Sequence, residues 1–127
     1  VAVRVLLDAN FLMLPAQFRV DIFAELEGLV EGPHELVTSK GVLSELTRIA
    51  MGGKEDAGAA KVALKMVDGR SVKIDESTEQ VDSWLLREGG KEGAIVCTND
   101  AALIKKLRRN KVKVVRLLGK SHLGFAD

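Results

Sequence analysis

A chain of 127 residues, 46% hydrophobic and 29% charged, has room for one globular domain built on a single core and excludes a multidomain enzyme. Nineteen Lys and Arg against eighteen Asp and Glu leave a formal charge of +1, which excludes a highly basic nucleic-acid tail and an acidic disordered chain alike. No apolar run approaches the roughly 18 residues that cross a bilayer and no signal peptide is recognisable, so a soluble, cytoplasmic protein with no membrane partner is expected.

Val3 to Leu7, apolar apart from Arg4, predicts a first strand, and Asp8 stands at its carboxyl end. The apolar segment Leu12 to Phe18 reads as a helix entering the core or as a dimer contact, with the core favoured. A helix over Val20 to Val30 follows, then the Gly32-Pro33 turn and a strand over His34 to Thr38. Next comes a helix over Val42 to Ala50, with Glu45 on the flank of the stripe formed by Val42, Leu46 and Ile49. Gly52-Gly53, a helix over Ala57 to Val67, Asp68-Gly69 and a strand over Ser71 to Ile74 complete the middle of the chain. Ser77 and Gln80 have the spacing of a capping box before a helix over Val81 to Leu86. After Gly89-Gly90, the run Ala94 to Cys97 predicts a fourth strand, buried on both faces, with Asp100 at the head of a helix over Ala101 to Arg109. Val112 to Leu118 reads as the fifth strand.

Strands and helices alternate throughout, and parallel strands require helical, right-handed crossovers. The expected fold is α/β: one three-layer α/β/α domain over residues 1–127 with a parallel, roughly five-stranded sheet. Ligands in such sheets gather beyond the carboxyl ends of the strands, where the strand order reverses. Asp8 and Asp100 share that edge if the first and fourth strands are neighbours. Taken singly, each is equally an ordinary capping aspartate.

Asp82 falls between Leu85 and Leu86 on the helical wheel, inside an apolar arc where an unpaired carboxylate is costly. Asp75, Glu76 and Glu79 compete with it for any role in a third acidic position. Two like charges about 4 Å apart cost on the order of 4 kcal/mol at an effective dielectric near 20, a penalty that a divalent cation reverses. The lone Cys97 and the two histidines, His34 and His122, nearly exclude a Cys/His zinc site, so a metal here has to be held by oxygen. Carboxylates with few histidines suit Mg²⁺ or Mn²⁺, and the chemistry such a cluster favours is phosphodiester hydrolysis.

Charge is unevenly placed along the chain. Residues 1–100 carry 17 acids and 11 bases, whereas residues 101–127 carry 8 bases and 1 acid. The bases Lys105, Lys106, Arg108, Arg109, Lys111, Lys113, Arg116 and Lys120 suit phosphate neutralisation or simply a solvated surface. With 4% aromatics, no Tyr and one Trp, base stacking contributes little, and a nucleic acid would be gripped by its backbone.

The stretches Leu6-Leu7-Asp8-Ala9-Asn10, Thr38-Ser39-Lys40-Gly41-Val42-Leu43-Ser44-Glu45-Leu46 and Thr98-Asn99-Asp100, with Asp82 between the last two, resemble the PIN-domain family of metal-dependent ribonucleases over essentially the whole chain. Asn10 to Phe18 with Asp21-Ile22-Phe23 is more similar to the archaeal branch related to pre-ribosomal-RNA-processing nucleases than to VapC-type toxins. The resemblance implies four catalytic, metal-binding acids, Asp8, Glu45, Asp82 and Asp100, holding Mg²⁺ or Mn²⁺. It also implies an RNA partner, single-stranded or structured rRNA, and a homodimer. Asn10, Ser39 and Thr98 orient ligands or water, or serve as turn and cap residues, while Arg48, Lys105, Lys106, Arg108 and Arg109 neutralise the RNA backbone.

The expected function is a metal-dependent endoribonuclease, with rRNA processing as its setting. One alternative keeps the fold without catalysis, as an RNA-binding module in ribosome assembly. Another is a phosphoacceptor receiver domain, with Thr98 and Lys120 in matching places; it fits less well, because Ala9 and Asn10 follow Asp8 and Asp75 arrives late.

Overall fold

The computed structural model describes residues 2–127; Val1 lies outside them. The elements run β1 (Val3–Leu7), α1 (Ala9–Leu12), α2 (Leu14–Phe18), α3 (Ile22–Leu29), β2 (His34–Ser39), α4 (Lys40–Met51), α5 (Ala57–Gly69), β3 (Val72–Asp75), α6 (Val81–Gly89), β4 (Ala94–Cys97), α7 (Ala101–Arg109), β5 (Lys113–Leu118) and β6 (His122–Phe125). None of these helices is long and apolar enough to cross a membrane.

The sheet order is β3-β2-β1-β4-β5-β6. β1 pairs parallel with β2 on one side and with β4 on the other, in the register Leu6↔Val37 and Leu7↔Cys97. Chain order reverses between β1 and β4, and both strands are lined by helices on each face. That is why Val5, Leu6, Leu7 and the whole of Ala94–Cys97 are buried and why both read as unbroken apolar runs. Gly89 closes α6 onto the sheet: a Cβ there would stand 2.7 Å from Val96 Cγ2 and 3.1 Å from Val112 Cγ1.

The fold class is as expected, and the sheet extends one strand further. β6 turns back at Gly119, whose φ is +61°, and pairs antiparallel with β5. Four residues, one of them Gly, with only the middle pair buried, give no period-2 signal to read. The outer edge of β6 is held by α3, where Glu25 Oε1 accepts from Leu123 N at 2.9 Å.

Leu12, Met13 and Leu14 are buried whereas Ala16, Gln17 and Phe18 are exposed, so the apolar segment Leu12 to Phe18 is core in its first half only. Ser77 and Gln80 do not form a capping box. Gln80 itself caps α6, accepting from Ser83 N at 3.0 Å, and Ser77 Oγ accepts from Glu79 N in the preceding turn. A glutamine reaches the helix N-terminus here because its side chain folds back over the first turn.

Candidate active site

Asp8 ends β1 and caps α1, with Oδ1 accepting from Ala9 N at 2.8 Å. Its Oδ2 accepts from Thr98 Oγ1 at 2.7 Å and from Asn10 Nδ2 at 3.1 Å. Asn10 Oδ1 in turn accepts from Asn99 N at 2.8 Å, and Asn99 Oδ1 accepts from Leu117 N at 2.9 Å. The ends of β1, β4 and β5 are thereby tied together at the point where the strand order reverses. Asp100 N donates to Thr98 Oγ1 at 3.2 Å, while Asp100 Oδ1 caps α7 through Leu103 N at 3.1 Å. Asp100 is exposed and stands beside this knot rather than within it.

Burial pushes the Asp8 carboxyl up to about 6; the hydrogen bonds from Thr98 and Ala9 oppose the rise, and the charges of Glu45 and Asp82 add to it. Three of the four expected acids are therefore close enough to feel one another. Glu45 is carried there by α4, which Ser39 caps through Val42 N at 3.1 Å. Gly41 lets the first turn of α4 approach the 76–80 loop: its N donates to Ser77 O at 3.2 Å, and a Cβ would stand 3.0 Å from Glu79 O. Glu45 and Asp82 line one cleft of about 370 Å³, and Arg48, one turn along α4, lines it with them.

Asp82 is half-buried in the first turn of α6, where the helix dipole favours a carboxylate. It opens onto this cleft and not into the apolar arc that the wheel suggested. Its competitors are occupied. Asp75 accepts from Ser77 N at 2.9 Å and from the indole of Trp84 at 3.2 Å, Glu76 pairs with Lys40 at 2.8 Å, and Glu79 pairs with Arg87.

The donor set suits a hard divalent cation: carboxylate oxygens, a buried acid whose charge is disfavoured, and two further acids adding to the strain. Among the described residues, however, no three His, Cys, Asp or Glu side chains are gathered closely enough to hold one ion directly. Among the auxiliary residues, Thr98 and Asn10 touch Asp8, whereas Ser39 serves as a buried cap. Lys105, Lys106, Arg108 and Arg109 are all exposed on α7. The buried Cys97, its thiol pushed up by burial, offers no nucleophile.

Sequence reading missed Asn99 and Thr38. Asn99 fastens β5 to the Asp8 knot, and Thr38 Oγ1 donates to Leu7 O at 2.9 Å, pinning the end of β1 to β2. A polar residue at a strand end next to a turn was the available signal, and it is too common to single out.

The sequence model of the PIN-like domain matches residues 5–120. This chain belongs to the PIN-like domain family. Solved structures place its fold in the same group. The PIN domain endonuclease Utp24 superposes with a TM-score of 0.78 at 17% identity, covering 96% of this chain and 90% of that one. A domain of a functionally unknown protein from Methanocaldococcus jannaschii DSM 2661 gives 0.65 at 15% identity, with 93% of each chain covered. VapBC-1 from nontypeable Haemophilus influenzae gives 0.52 at 17% identity, covering 84% of this PIN-like chain and 93% of the other. No curated protein matches by sequence.

Proposed function

We propose that this PIN-like domain is a divalent-cation-dependent endoribonuclease, with Mg²⁺ or Mn²⁺ as the cation and precursor rRNA as the substrate class. The observation that carries the reading is the buried Asp8, whose proton affinity is raised by burial and by Glu45 and Asp82 at the strand-order reversal. Asp8, Glu45, Asp82 and Asp100 would hold the cation in part through bridging water, because no three of them stand close enough to ligate one ion directly. A divalent cation bound there supplies the Lewis acid for activating water and for balancing charge on the phosphate.

The chain's own residues prepare this. Thr98 and Asn10 fix the Asp8 carboxylate through its Oδ2, and the Asn99 link to Leu117 N keeps that pair in place. Arg48, in the cleft with Glu45 and Asp82, is placed to offset charge on the scissile phosphate. Lys105, Lys106, Arg108 and Arg109 hold the RNA backbone. A homodimer belongs to the same reading and is checked by the mass of the protein in solution. The deciding experiment is cleavage of a single-stranded RNA in Mn²⁺. Activity lost in EDTA, restored by Mn²⁺ and abolished in Asp8→Asn is the expected result, and cleavage indifferent to both would end the reading.

A second reading, an RNA-binding module without turnover, is favoured by the absence of three directly ligating acids among the described residues. It predicts salt-dependent RNA binding with no cleavage in Mn²⁺.

A further inference from the structure

The basic residues that follow Asp100 do not form one diffuse surface. Lys105, Arg108 and Arg109 on α7 and Arg116 on β5 line a single groove of about 720 Å³, and Asp127 is the one acid in its lining. The groove begins at Ala101, the residue after Asp100, and follows α7 to Arg109, a span of roughly 12 Å at 1.5 Å per residue. It therefore leads away from the candidate active site along one helix face.

Basic residues in the last turn of a helix are commonly explained by the helix dipole. That accounts for Arg108 and Arg109, but not for Lys105 in mid-helix nor for Arg116, which comes from a different element. Arg116 is the informative one. It is half-buried, and its Nε, sealed from solvent, makes no hydrogen bond among the described residues. Nor does any described carboxylate stand within ion-pair distance of its guanidinium, although Asp127 lines the same groove. One donor of Arg116 is thus unsatisfied against the usual rule, and its half-buried side chain, with no acid paired to it, stands among three further cations in the groove lining, a concentration of positive charge that suits an anion. The planar fork of Arg matches the oxygens of a phosphate, and no aromatic side chain lines the groove to stack a base.

We infer that the groove between α7, Arg116 of β5 and Asp127 is a phosphate-binding subsite that holds the sugar–phosphate backbone of single-stranded RNA beyond the scissile position, with Arg116 as its anchor. The inference rests on the nuclease reading for the identity of the ligand and extends it to a second point of contact. It predicts recognition by backbone charge, without base preference.

The experiment is fluorescence-anisotropy binding of a 5′-labelled twelve-nucleotide oligouridylate in EDTA, where no cleavage occurs. Arg116→Gln and the double variant Lys105→Gln/Arg108→Gln are compared with wild type and with Lys61→Gln, a charge removed from the exposed surface of α5. Both groove variants are expected to bind about tenfold more weakly, with a log–log salt dependence shallower by about 0.7 per charge removed, while Lys61→Gln binds as wild type. The double variant lies on exposed positions and keeps the test valid if Arg116→Gln fails to fold. Wild-type affinity in the folded groove variants overturns the subsite, as does tighter, variant-sensitive binding of poly-glutamate than of the oligonucleotide. Because binding is read without metal, a protein that binds through the groove but never cleaves would refute the nuclease reading and leave the subsite standing. One that cleaves while its groove variants bind normally would do the reverse.

Discussion

Thr98 donates from Oγ1 to Asp8 Oδ2 at 2.7 Å, joining residues 90 positions apart at the ends of two neighbouring strands. This bond opposes the rise that burial imposes on the Asp8 carboxyl and holds it in one orientation. A hydrogen bond to a charged group contributes roughly 1.5–3 kcal/mol. Thr98→Val is therefore expected to raise the Asp8 pKa further, seen by carbon NMR of the carboxyl, and to lower cleavage at neutral pH by about tenfold or more. Thr98→Ser keeps the hydroxyl and is expected to retain most activity. A serine variant as impaired as the valine variant would point to packing instead.

Asp8 also makes the stability of the metal-free protein depend on pH. Its folded-state value of about 6 lies above the ordinary 3.8, so the native chain holds the proton more tightly than the unfolded chain. The contribution is complete below pH 3.8 and is lost as pH rises through about 6. Across that window the loss from this one residue is about 3 kcal/mol. Urea unfolding in EDTA at pH 4.5 and pH 7.5 should show wild type losing stability relative to Asp8→Asn, and Mg²⁺ should reduce the loss. Parallel pH dependence in the two proteins would contradict it.

The neighbouring acids separate by role. Asp82→Asn is expected to cost at least a hundredfold in cleavage with a stability change below about 1 kcal/mol, since only a first-turn dipole interaction is lost. Asp75→Ala leaves the buried indole N–H of Trp84 without its acceptor and is expected to cost about 1–3 kcal/mol while activity survives at low temperature. Paired thermal melts and cleavage assays check this, and the reverse pattern would transfer the third-acid role to Asp75.

Glu88 stabilises the end of the sheet opposite the cleft. It is only 3% exposed, with Arg4 at 2.6 Å, Lys91 at 2.8 Å and Arg87 paired alongside. Burial pushes its carboxyl up, but the hydrogen bonds and charges of Lys91 and Arg4 win and hold it below the usual glutamate range. Removing a partner from a buried ion pair costs about 3–5 kcal/mol, discounted to about 2 here because Lys91 and Arg87 face solvent. Glu88→Gln should lower Tm by about 6–10 °C with unchanged cleavage at 20 °C, and an equal loss of activity and stability would show that the two ends are coupled.

Much of this molecule is written locally. The apolar runs of β1 and β4, the acids that follow them and the helix heads at Ser39 and Asp100 are set by residues within a few positions of one another. The same holds for the basic composition of the last 27 residues, although not for its arrangement, since Arg116 meets the α7 bases only after β5 packs beside that helix.

What the sequence by itself determined is the alternating α/β pattern, the edge at which Asp8 and Asp100 emerge, and the set of acids from which a site is chosen. Tertiary structure decided which acids are spoken for, because Asp75 and Glu79 find Trp84 and Arg87 on α6 and Glu76 finds Lys40 on α4 only once those helices are packed. It also decided the sixth strand, whose four residues carry no periodic signal and depend on β5 and on Glu25, 98 positions away from Leu123. Periodicity and capping report on contacts a few residues apart, whereas the charge felt by Asp8 depends on distances that exist only once the chain has closed.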